Sequence, residues 1–185
     1  QAILFFLPKQ FYLHASPGVT DILNQRYQLE SHGLYWRMGL LNPETLEGID
    51  TFQILNLSEK DLEEIEHFYR VSYPECWFNS RMLSTPFYLG IRQNELVCAG
   101  TVHTYSTEQQ VAALGSIATH PEHRNQGYAK AITAKLCLSL RAHNIRHIGL
   151  NVKADNLPAI RCYQKLGFEK VHTYEEWMVR EPISS

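Results

Sequence analysis

An apolar run at residues 111–119, Val-Ala-Ala-Leu-Gly-Ser-Ile-Ala-Thr, is followed by a polar loop and then by an amphipathic helical pattern. The apolar residues of that pattern recur at spacings of three and four, which places them on one face of a helix: Ala129, Ile132, Leu136 and Leu140. A strand that leads straight into such a helix is typical of mixed α/β proteins. We therefore predict a mixed α/β fold.

Elements that alternate in the same way precede this segment. A predicted strand at 51–57 leads to a helix that begins at Ser58, which can form a capping box with Asp61. Pro74 ends this helix. Two extended segments around a turn then predict a hairpin: Pro86–Arg92 and Leu96–Tyr105.

Two more strands and a short helix follow the amphipathic helix. The strands are predicted at 147–152 and 171–179. Between them, Asn156 is placed to cap a helix, and Gly167 is placed to end it.

The first 50 residues give weaker patterns. Segments 2–7 and 10–14 look extended, and a strand is predicted at 34–41. A helix is predicted at 19–29, and Gly33 would end it.

The composition limits the classes of partner. The chain has 185 residues, of which 44% are hydrophobic and 19% are charged, and its formal net charge is -2. These values are typical of a globular protein and give no basic footprint for nucleic acid or for a membrane surface. The apolar run at 2–7 is far shorter than the ~20 residues of a membrane-spanning helix. We therefore expect no nucleic acid and no membrane as partner.

The cysteines and histidines predict no metal site. The four cysteines form neither a Cys-x-x-Cys pair nor a zinc-ligand spacing, and we expect them to be reduced thiols of a cytoplasmic protein. His120-Pro-Glu-His123 contains the His-x-Glu triplet of zinc deaminases, but no Pro-Cys-x-x-Cys follows it.

The loop Arg124-Asn-Gln-Gly-Tyr-Ala-Lys130 joins the apolar strand to the amphipathic helix. The first turn of a helix has four N–H groups without intrahelical partners, and the helix dipole is positive there. Gly127 and Ala129 keep side-chain bulk low, and the two terminal residues of the loop add positive charge, so the loop suits a diphosphate. Small residues that only pack at a helix N-terminus would give the same local pattern. Neither a Walker A loop nor a Gly-x-Gly-x-x-Gly fingerprint is present.

Two motifs, in this order, resemble a known family. The pattern Arg-x-x-Gly-x-Ala at 124–129 is similar to the pyrophosphate loop of GCN5-related N-acetyltransferases (GNAT), and residues 117–124 are similar to the strand and loop that enter it. The pattern Asn-x-x-Ala-x-x-x-Tyr-x-x-x-Gly-Phe at 156–168 resembles the second conserved segment of the family. The resemblance covers residues from about Thr51 to Arg180.

The resemblance also implies a fold and a division of the chain. The family has a mixed, mostly antiparallel central sheet flanked by helices, and residues 49–182 would form this GNAT N-acetyltransferase domain. Segment 113–129 and Arg37-Met38 are similar to FR47-like and glycine N-acyltransferase-like proteins, whose N-terminal part often forms a partial, degenerate copy of the fold. Residues 1–48 would form such a small N-terminal α/β subdomain.

The function that the resemblance implies is acetyl-CoA-dependent N-acetyl transfer to a primary amine, by direct attack in a ternary complex. Ile117, Ala118 and Thr119 would line the pantetheine arm of coenzyme A, and Asn156 would hydrogen-bond it. Tyr163 would protonate the departing sulfur, because a phenol can donate to a thiolate at modest cost. The diphosphate would lie on Arg124, Asn125, Gln126, Gly127, Tyr128, Ala129 and Lys130.

Several assignments stay open at this point. Asn156 has a competing role as helix N-cap, and Tyr163 has one in packing against Ile160. The general base has four candidates besides a water chain: Glu75, His103, His120 and Glu122. An aromatic wall of the acceptor groove also has four: Tyr73, Trp77, Phe78 and Tyr88.

Two alternatives to this function also remain. The first is a non-catalytic acyl-CoA-binding sensor on the same fold, and the second is an O-acyl or longer-chain acyltransferase. The acceptor would be a small-molecule or peptide amine, and the protein would be a monomer or a homodimer.

Overall fold

The computed structural model describes residues 6–16, 18–49 and 53–181. The chain divides into two compact units. Of the described residues, the larger unit comprises 39–49, 53–150 and 161–169, and the smaller unit comprises 6–16, 18–38, 151–160 and 170–181.

Strands and helices alternate along the chain, as the sequence predicts. The strands are β1 (Gln10–Ala15), β2 (Gln28–Leu40), β3 (Ile54–Asn56), β4 (Tyr88–Arg92), β5 (Leu96–Ser106), β6 (Val111–Thr119), β7 (His147–Lys153) and β8 (Phe168–Arg180). The helices are α1 (Thr20–Leu23), α2 (Leu62–Ser72), α3 (Tyr128–Ala142) and α4 (Leu157–Gln164).

The strands of the larger unit follow the order β7-β6-β5-β4-β3. All of these neighbours are antiparallel except β6 and β7, which are parallel. Helix α3 packs on β4, β5 and β6, and α2 contacts β5 and β6. The prediction of a mixed, mostly antiparallel sheet flanked by helices is therefore confirmed.

Two consecutive residues of β5 show that the two helices cover opposite faces of the sheet. Ala99 belongs to the core cluster of α2, with Ile65, Phe68 and Tyr69. A Cβ atom at the next residue, Gly100, would lie 2.8 Å from Cγ2 of Ile132 on α3. Because successive strand residues point to opposite faces, this pair fixes both helices against β5.

Local capping signals in the sequence hold in the structure. The capping box at Ser58 is present, and the Ser58 N–H donates to the Asp61 carboxylate at 2.8 Å. Asn156 caps α4, since its Oδ1 accepts from the Ala159 N–H at 3.2 Å. The hairpin of β4 and β5 is confirmed as well.

The smaller unit corrects the predicted helix at 19–29. Only Thr20–Leu23 is helical, and the next strand begins at Gln28 and continues through Gly33, which has a φ of +98°. The helical pattern fails because two of its apolar residues, Val19 and Ile22, are exposed. Strand β2, which takes the last two residues of the predicted helix, lies next to β8, which also pairs with β1.

Some predictions fall partly outside the described residues. The strand predicted at 2–7 does so at residues 2–5, while Phe6 and Leu7 are not in a strand. Residues 51 and 52 of the strand predicted at 51–57 are also outside, and the described strand is β3. The boundary between residues 48 and 49 stays a prediction. Within the described ranges, no helix is long and apolar enough to cross a membrane.

We expect Gly167→Ala to destabilise the protein strongly. Gly167 has a φ of +85°, and a Cβ atom there would lie 2.1 Å from the carbonyl oxygen of Asn42. Left-handed strain of about 1–2 kcal/mol and overpacking of about 1–3 kcal/mol together should lower the free energy of unfolding, measured by urea denaturation. Gly48→Ala is the matched control, because Gly48 has a φ of +72° and no atom within 4 Å of the added Cβ. Equal losses in the two variants would contradict the crowding at Gly167.

Candidate active site

A left-handed residue interrupts β6. Ser116 has a φ of +51°, which is uncommon for a residue with a side chain. Ala99 of β5 pairs with Ala118, and Thr101 pairs with Gly115, so two residues of β6 oppose Gly100 alone. This is a β-bulge, a feature that redirects side chains next to active sites.

Buried hydroxyl groups hold the bulge. The Tyr69 hydroxyl donates to the carbonyl oxygen of Ser116 at 2.7 Å, and the Tyr88 hydroxyl donates to the Tyr69 oxygen at 3.0 Å. Both tyrosines are buried, and burial raises the pKa of the Tyr69 phenol well above its usual value. The donor therefore keeps its proton at neutral pH.

Within the larger unit, the pairing of β6 with β7 lies before the bulge. Among the described residues, the pairing of β6 with β7 runs from Val111 with His147 to Leu114 with Leu150. The segment that continues to Thr119 contains Ile117, Ala118 and Thr119, which the sequence assigned to the pantetheine arm. On the β5 side this segment stays paired, so its backbone is held in place from one edge.

The loop after β6 turns sharply into α3. Asn125 has a φ of +62° and Gly127 a φ of +85°, and the first intrahelical bond runs from the Ala131 N–H to the Gly127 carbonyl at 3.0 Å. The amides of the first turn come before this bond, at the N-terminal end of α3, which is a helix of 15 residues. A Cβ atom at Gly127 would meet no atom within 4 Å, so the space beside these amides is open.

The buried side chain of Tyr128 ties this loop to the β4–β5 turn. Its hydroxyl accepts a hydrogen bond from the Gln93 amide and donates one to Oε1 of Gln126 at 3.0 Å. The sequence analysis missed Gln93, because nothing local marks a turn glutamine as the partner of a residue 35 positions away. These bonds hold Gln126 in the loop that was predicted to bind a diphosphate.

Arg124 and Lys130, the two cations of the loop, are where the sequence placed them. Nε of Arg124 lies 3.5 Å from the carbonyl oxygen of Thr119, which links the loop to the end of β6. Lys130 lies in the first turn of α3. Open amides, the positive end of the helix dipole and two cations make this end of α3 suited to an anion.

Tyr163 lies on α4 and is only 8% exposed. Its ring packs against Phe168, with the centroids 6.0 Å apart. Burial raises the pKa of the phenol well above its usual value, and nearby Cys162, Tyr73 and Cys98 act in the same direction. Tyr163 is therefore protonated at neutral pH, as a proton donor must be.

A cavity of about 300 Å³ lies beside α2 in the larger unit. Its wall includes Tyr73 and Phe78, two of the four aromatic residues that the sequence assigned to an acceptor groove. Of the other two, Tyr88 is fully buried in the core, and Trp77 is 69% exposed and contacts His103. The remaining side chains of the wall are Glu66, Tyr69, Arg70, Pro74 and Cys76.

The base candidates and the cysteines occupy different surroundings. Nδ1 of His120 accepts from the Glu122 N–H at 3.4 Å, which caps a short 3-10 turn, whereas Nε2 of His103 lies 2.8 Å from Oγ of Ser116. All four cysteines are free thiols. Over the described part of the chain, no group of three or more His, Cys, Asp or Glu residues could hold a metal ion.

The comparison with known families agrees with this geometry. Residues 51–168 match the model of the acetyltransferase (GNAT) family. The chain belongs to this family. The match includes the bulged strand, the loop and first turn of α3, and Tyr163.

Individual similar proteins match this chain over a short segment or at low sequence identity. A mycothiol acetyltransferase from Saccharomonospora viridis is 39% identical over 57 residues, which are 31% of this chain and only 19% of that relative. A solved structure described as a GNAT acetyltransferase, from Novosphingobium aromaticivorans, has a TM-score of 0.73 at 19% identity, with 94% of this chain and 75% of that chain covered. The ribosomal-protein-S18-alanine N-acetyltransferase from Escherichia coli has a TM-score of 0.57 at 22% identity, with 72% of this chain and 94% of that chain covered. The two structures show that the GNAT fold is shared.

GNAT acetyltransferases in general use acetyl-CoA, and the residues present here fit that group. The diphosphate of acetyl-CoA needs N–H donors and room for close approach. The first turn of α3 has the N–H groups, and the open space at Gly127 leaves the room. Asn156 lies in the smaller unit, where its side-chain oxygen serves as the helix cap, so its role toward coenzyme A stays a prediction.

We expect Tyr69→Phe to destabilise the protein more than Tyr88→Phe. The first change removes the donor to the Ser116 carbonyl and the acceptor of the Tyr88 hydroxyl, which should cost about 1–3 kcal/mol because buried polar groups are left unpaired. The second change removes only the outer bond and should cost about 1 kcal/mol. Urea denaturation of both variants measures the difference, and a larger loss in Tyr88→Phe would refute this order.

Proposed function

We propose that this protein transfers an acetyl group from acetyl-CoA to a primary amine by direct attack in a ternary complex. The observation that carries the proposal is the open, amide-lined N-terminus of α3, which directly follows a bulged strand in the same unit as the buried, protonated Tyr163. Coenzyme A supplies the acetyl group as a thioester, whose carbonyl is open to attack by an amine.

The donor is held at two places on consecutive elements. The backbone N–H groups of the loop and first turn, with the cations Arg124 and Lys130, bind the diphosphate. Ile117, Ala118 and Thr119 hydrogen-bond the pantetheine arm through the part of β6 that extends past Leu114. A backbone N–H of this segment also stabilises the negative charge that develops on the carbonyl oxygen.

Tyr163 acts as the acid. The departing thiolate needs a hydrogen-bond or proton donor, and Tyr163 keeps its proton to give. An ordinary phenol has a pKa about 1.5 units above that of a thiol. Burial raises the pKa of Tyr163 further, so a hydrogen bond to the developing thiolate costs less than complete transfer of the proton. Burial keeps Tyr163 protonated across the neutral range. Cys162, the neighbour of Tyr163, is a poor nucleophile because burial raises the pKa of its thiol, so no covalent acyl-enzyme is required.

The acceptor binds in the cavity beside α2. Tyr69, Tyr73 and Phe78 give this cavity an aromatic wall, on which an ammonium group can rest, and the charges of Glu66 and Arg70 in the same wall balance. Tyr73 also contributes to the raised pKa of the Tyr163 phenol, which supports a place for the acceptor near the proposed acid. We therefore propose an amine attached to an apolar or aromatic body as the acceptor class.

Thiol release from acetyl-CoA with a panel of amines tests this function. The proposal expects release with aromatic alkylamines such as 2-phenylethylamine, and more slowly with ethylamine, which cannot fill the cavity. Tight binding of acetyl-CoA with no release on any amine would refute it in favour of a sensor. Faster release from succinyl or longer acyl donors would refute the choice of acetyl.

We expect Tyr163→Phe to lower kcat about a hundredfold or more with little change in the Kd of acetyl-CoA, because acid catalysis contributes about that much and the phenol does not hold the donor. Thiol release and calorimetry measure the two quantities. Tyr105→Phe is the control, since Tyr105 lies on β5 against Phe87 and outside the proposed site. Equal kcat values in Tyr163→Phe and the wild type would remove Tyr163 from the mechanism.

We expect Gly127→Ala to raise the Kd of coenzyme A about tenfold to a hundredfold. The new methyl group enters the open space beside the amides and displaces a phosphate oxygen, at a cost of about 1.5–3 kcal/mol for a charge-assisted hydrogen bond. Gly48→Ala carries a similar left-handed strain at a distant turn and should leave the calorimetric Kd unchanged. An unchanged Kd in Gly127→Ala would show that the diphosphate binds elsewhere.

A further inference from the structure

Three polar side chains meet at the bulge of β6, and the proposed acetyl transfer has given none of them a role. Nε2 of His103 lies 2.8 Å from Oγ of Ser116, and the thiol of Cys76 lies 3.3 Å from the same oxygen. All three residues belong to the larger unit. The Ser116 hydroxyl is therefore the middle member of a hydrogen-bonded chain.

The imidazole of His103 is held in a fixed orientation. A Cβ atom at Gly115 would lie 2.2 Å from Cε1 and 2.3 Å from Nε2 of the ring, so the ring rests directly on this glycine. The edge of Trp77 lies against it, with the ring centroids 6.2 Å apart. His103 as a whole is nevertheless exposed, which gives the chain of groups an outlet to water.

The other end of this hydrogen-bonded series, Cys76, lies in the wall of the cavity. Cys76 lines the cavity, together with Tyr69, which binds the backbone carbonyl of Ser116. Ser116 itself is only 7% exposed and lies behind this wall. Thiol, hydroxyl and imidazole thus connect the proposed acceptor cavity to solvent.

The hydrogen bonds have a preferred direction. Burial raises the pKa of the Cys76 thiol, so it remains S–H and donates to Oγ of Ser116. A hydroxyl that accepts this bond keeps its own proton for a second partner. The His103 ring lies against Gly115 and Trp77, and this local desolvation lowers the pKa of His103 below its usual 6.5 although the residue as a whole is exposed. Nε2 is therefore an acceptor for that proton at neutral pH.

We propose that His103, acting through Ser116 and Cys76, accepts the proton that the acceptor ammonium must lose before it attacks. This inference rests on the proposed function, which left the base open. His103 and Ser116 are positioning residues in this proposal, because only Cys76 lines the cavity that holds the amine.

The proton transfer balances along the three hydrogen-bonded groups. The N–H bond of the ammonium breaks and its proton joins Sγ of Cys76, while the S–H proton of Cys76 passes to Oγ of Ser116. The O–H proton of Ser116 passes to Nε2 of His103. A neutral amine, a thiol, a hydroxyl and an imidazolium result, and the imidazolium then releases its proton to water.

The surroundings of His103 determine the expected pH profile. Gly115, Ser116 and Trp77 contact the ring, and Cys76 is the titratable group across Ser116. Because only unprotonated His103 accepts a proton, kcat/KM for an ammonium acceptor should fall as the pH falls through a pKa below 6.5.

His103→Gln separates proton transfer from support of the bulge, since glutamine can hydrogen-bond Ser116 but cannot take up a proton. With 2-phenylethylamine, an ammonium at neutral pH, kcat/KM should fall about a hundredfold and the acid limb should disappear. With phenylhydrazine, which is already neutral at that pH, the rate should stay nearly unchanged. Ser116→Ala should behave like His103→Gln.

His143→Gln is the matched control and should alter neither the rates nor the pH profile, because His143 lies at the end of α3, bonded to the Ser139 carbonyl. Equal losses with both amines in His103→Gln, or an intact acid limb, would overturn the relay while leaving acetyl transfer in place. No thiol release by the wild type with either amine would overturn the proposed function and the relay with it.

Nitrogen NMR of the wild type gives a test that needs no acceptor. The relay requires the His103 tautomer that carries its proton on Nδ1, with Nε2 accepting from Ser116. Observation of this tautomer above the pKa of His103 supports the relay. A proton on Nε2 would reverse the bond to Ser116 and overturn the relay whatever the amine.

Discussion

The left-handed backbone at Ser116 is the constraint on which the rest of the site depends. A residue with a side chain adopts this conformation only where its surroundings hold it, and here the Tyr69 hydroxyl holds the carbonyl while His103 and Cys76 contact the side chain. The bulge lies two residues beyond Leu114, which is the last residue of β6 that pairs with β7 within the larger unit, and the strand beyond the bulge pairs with β5. The same residue thus shapes the proposed donor groove on one side and the cavity wall on the other.

The proposed donor site depends on two further left-handed residues and on one close packing contact. Asn125 and Gly127 turn the chain so that α3 begins with its amides facing open space. Gly100 lets Ile132 approach β5 closely, which fixes the helix against the sheet. In the proposed function, a diphosphate would meet amides that are already in place, so little ordering would be needed when it binds. The proposed acceptor site is of a different kind, since the cavity beside α2 offers aromatic surface and charged side chains.

The local parts of this picture were predictable from the sequence, and the long-range parts were not. Strand β6, helix α3 and the caps at Ser58 and Asn156 depend on neighbouring residues, so periodicity and capping chemistry were enough. The helix predicted at 19–29 was wrong beyond Thr20–Leu23, because Val19 and Ile22 of its apolar pattern are exposed and no core holds that face. The hydrogen bonds from Tyr69 to Ser116 and from Gln93 to Tyr128 join residues that are 47 and 35 positions apart. No spacing in the sequence predicts such pairs. The family motif located the loop and Tyr163, but it said nothing of the bulge that lies before them.

A crystal structure of the protein with acetyl-CoA tests the account most directly. It should show phosphate oxygens within hydrogen-bonding distance of the backbone nitrogens between Asn125 and Ala129, and the thioester sulfur beside the Tyr163 hydroxyl. A diphosphate bound anywhere else on the larger unit, or a Tyr163 hydroxyl directed into the core away from the sulfur, would contradict it.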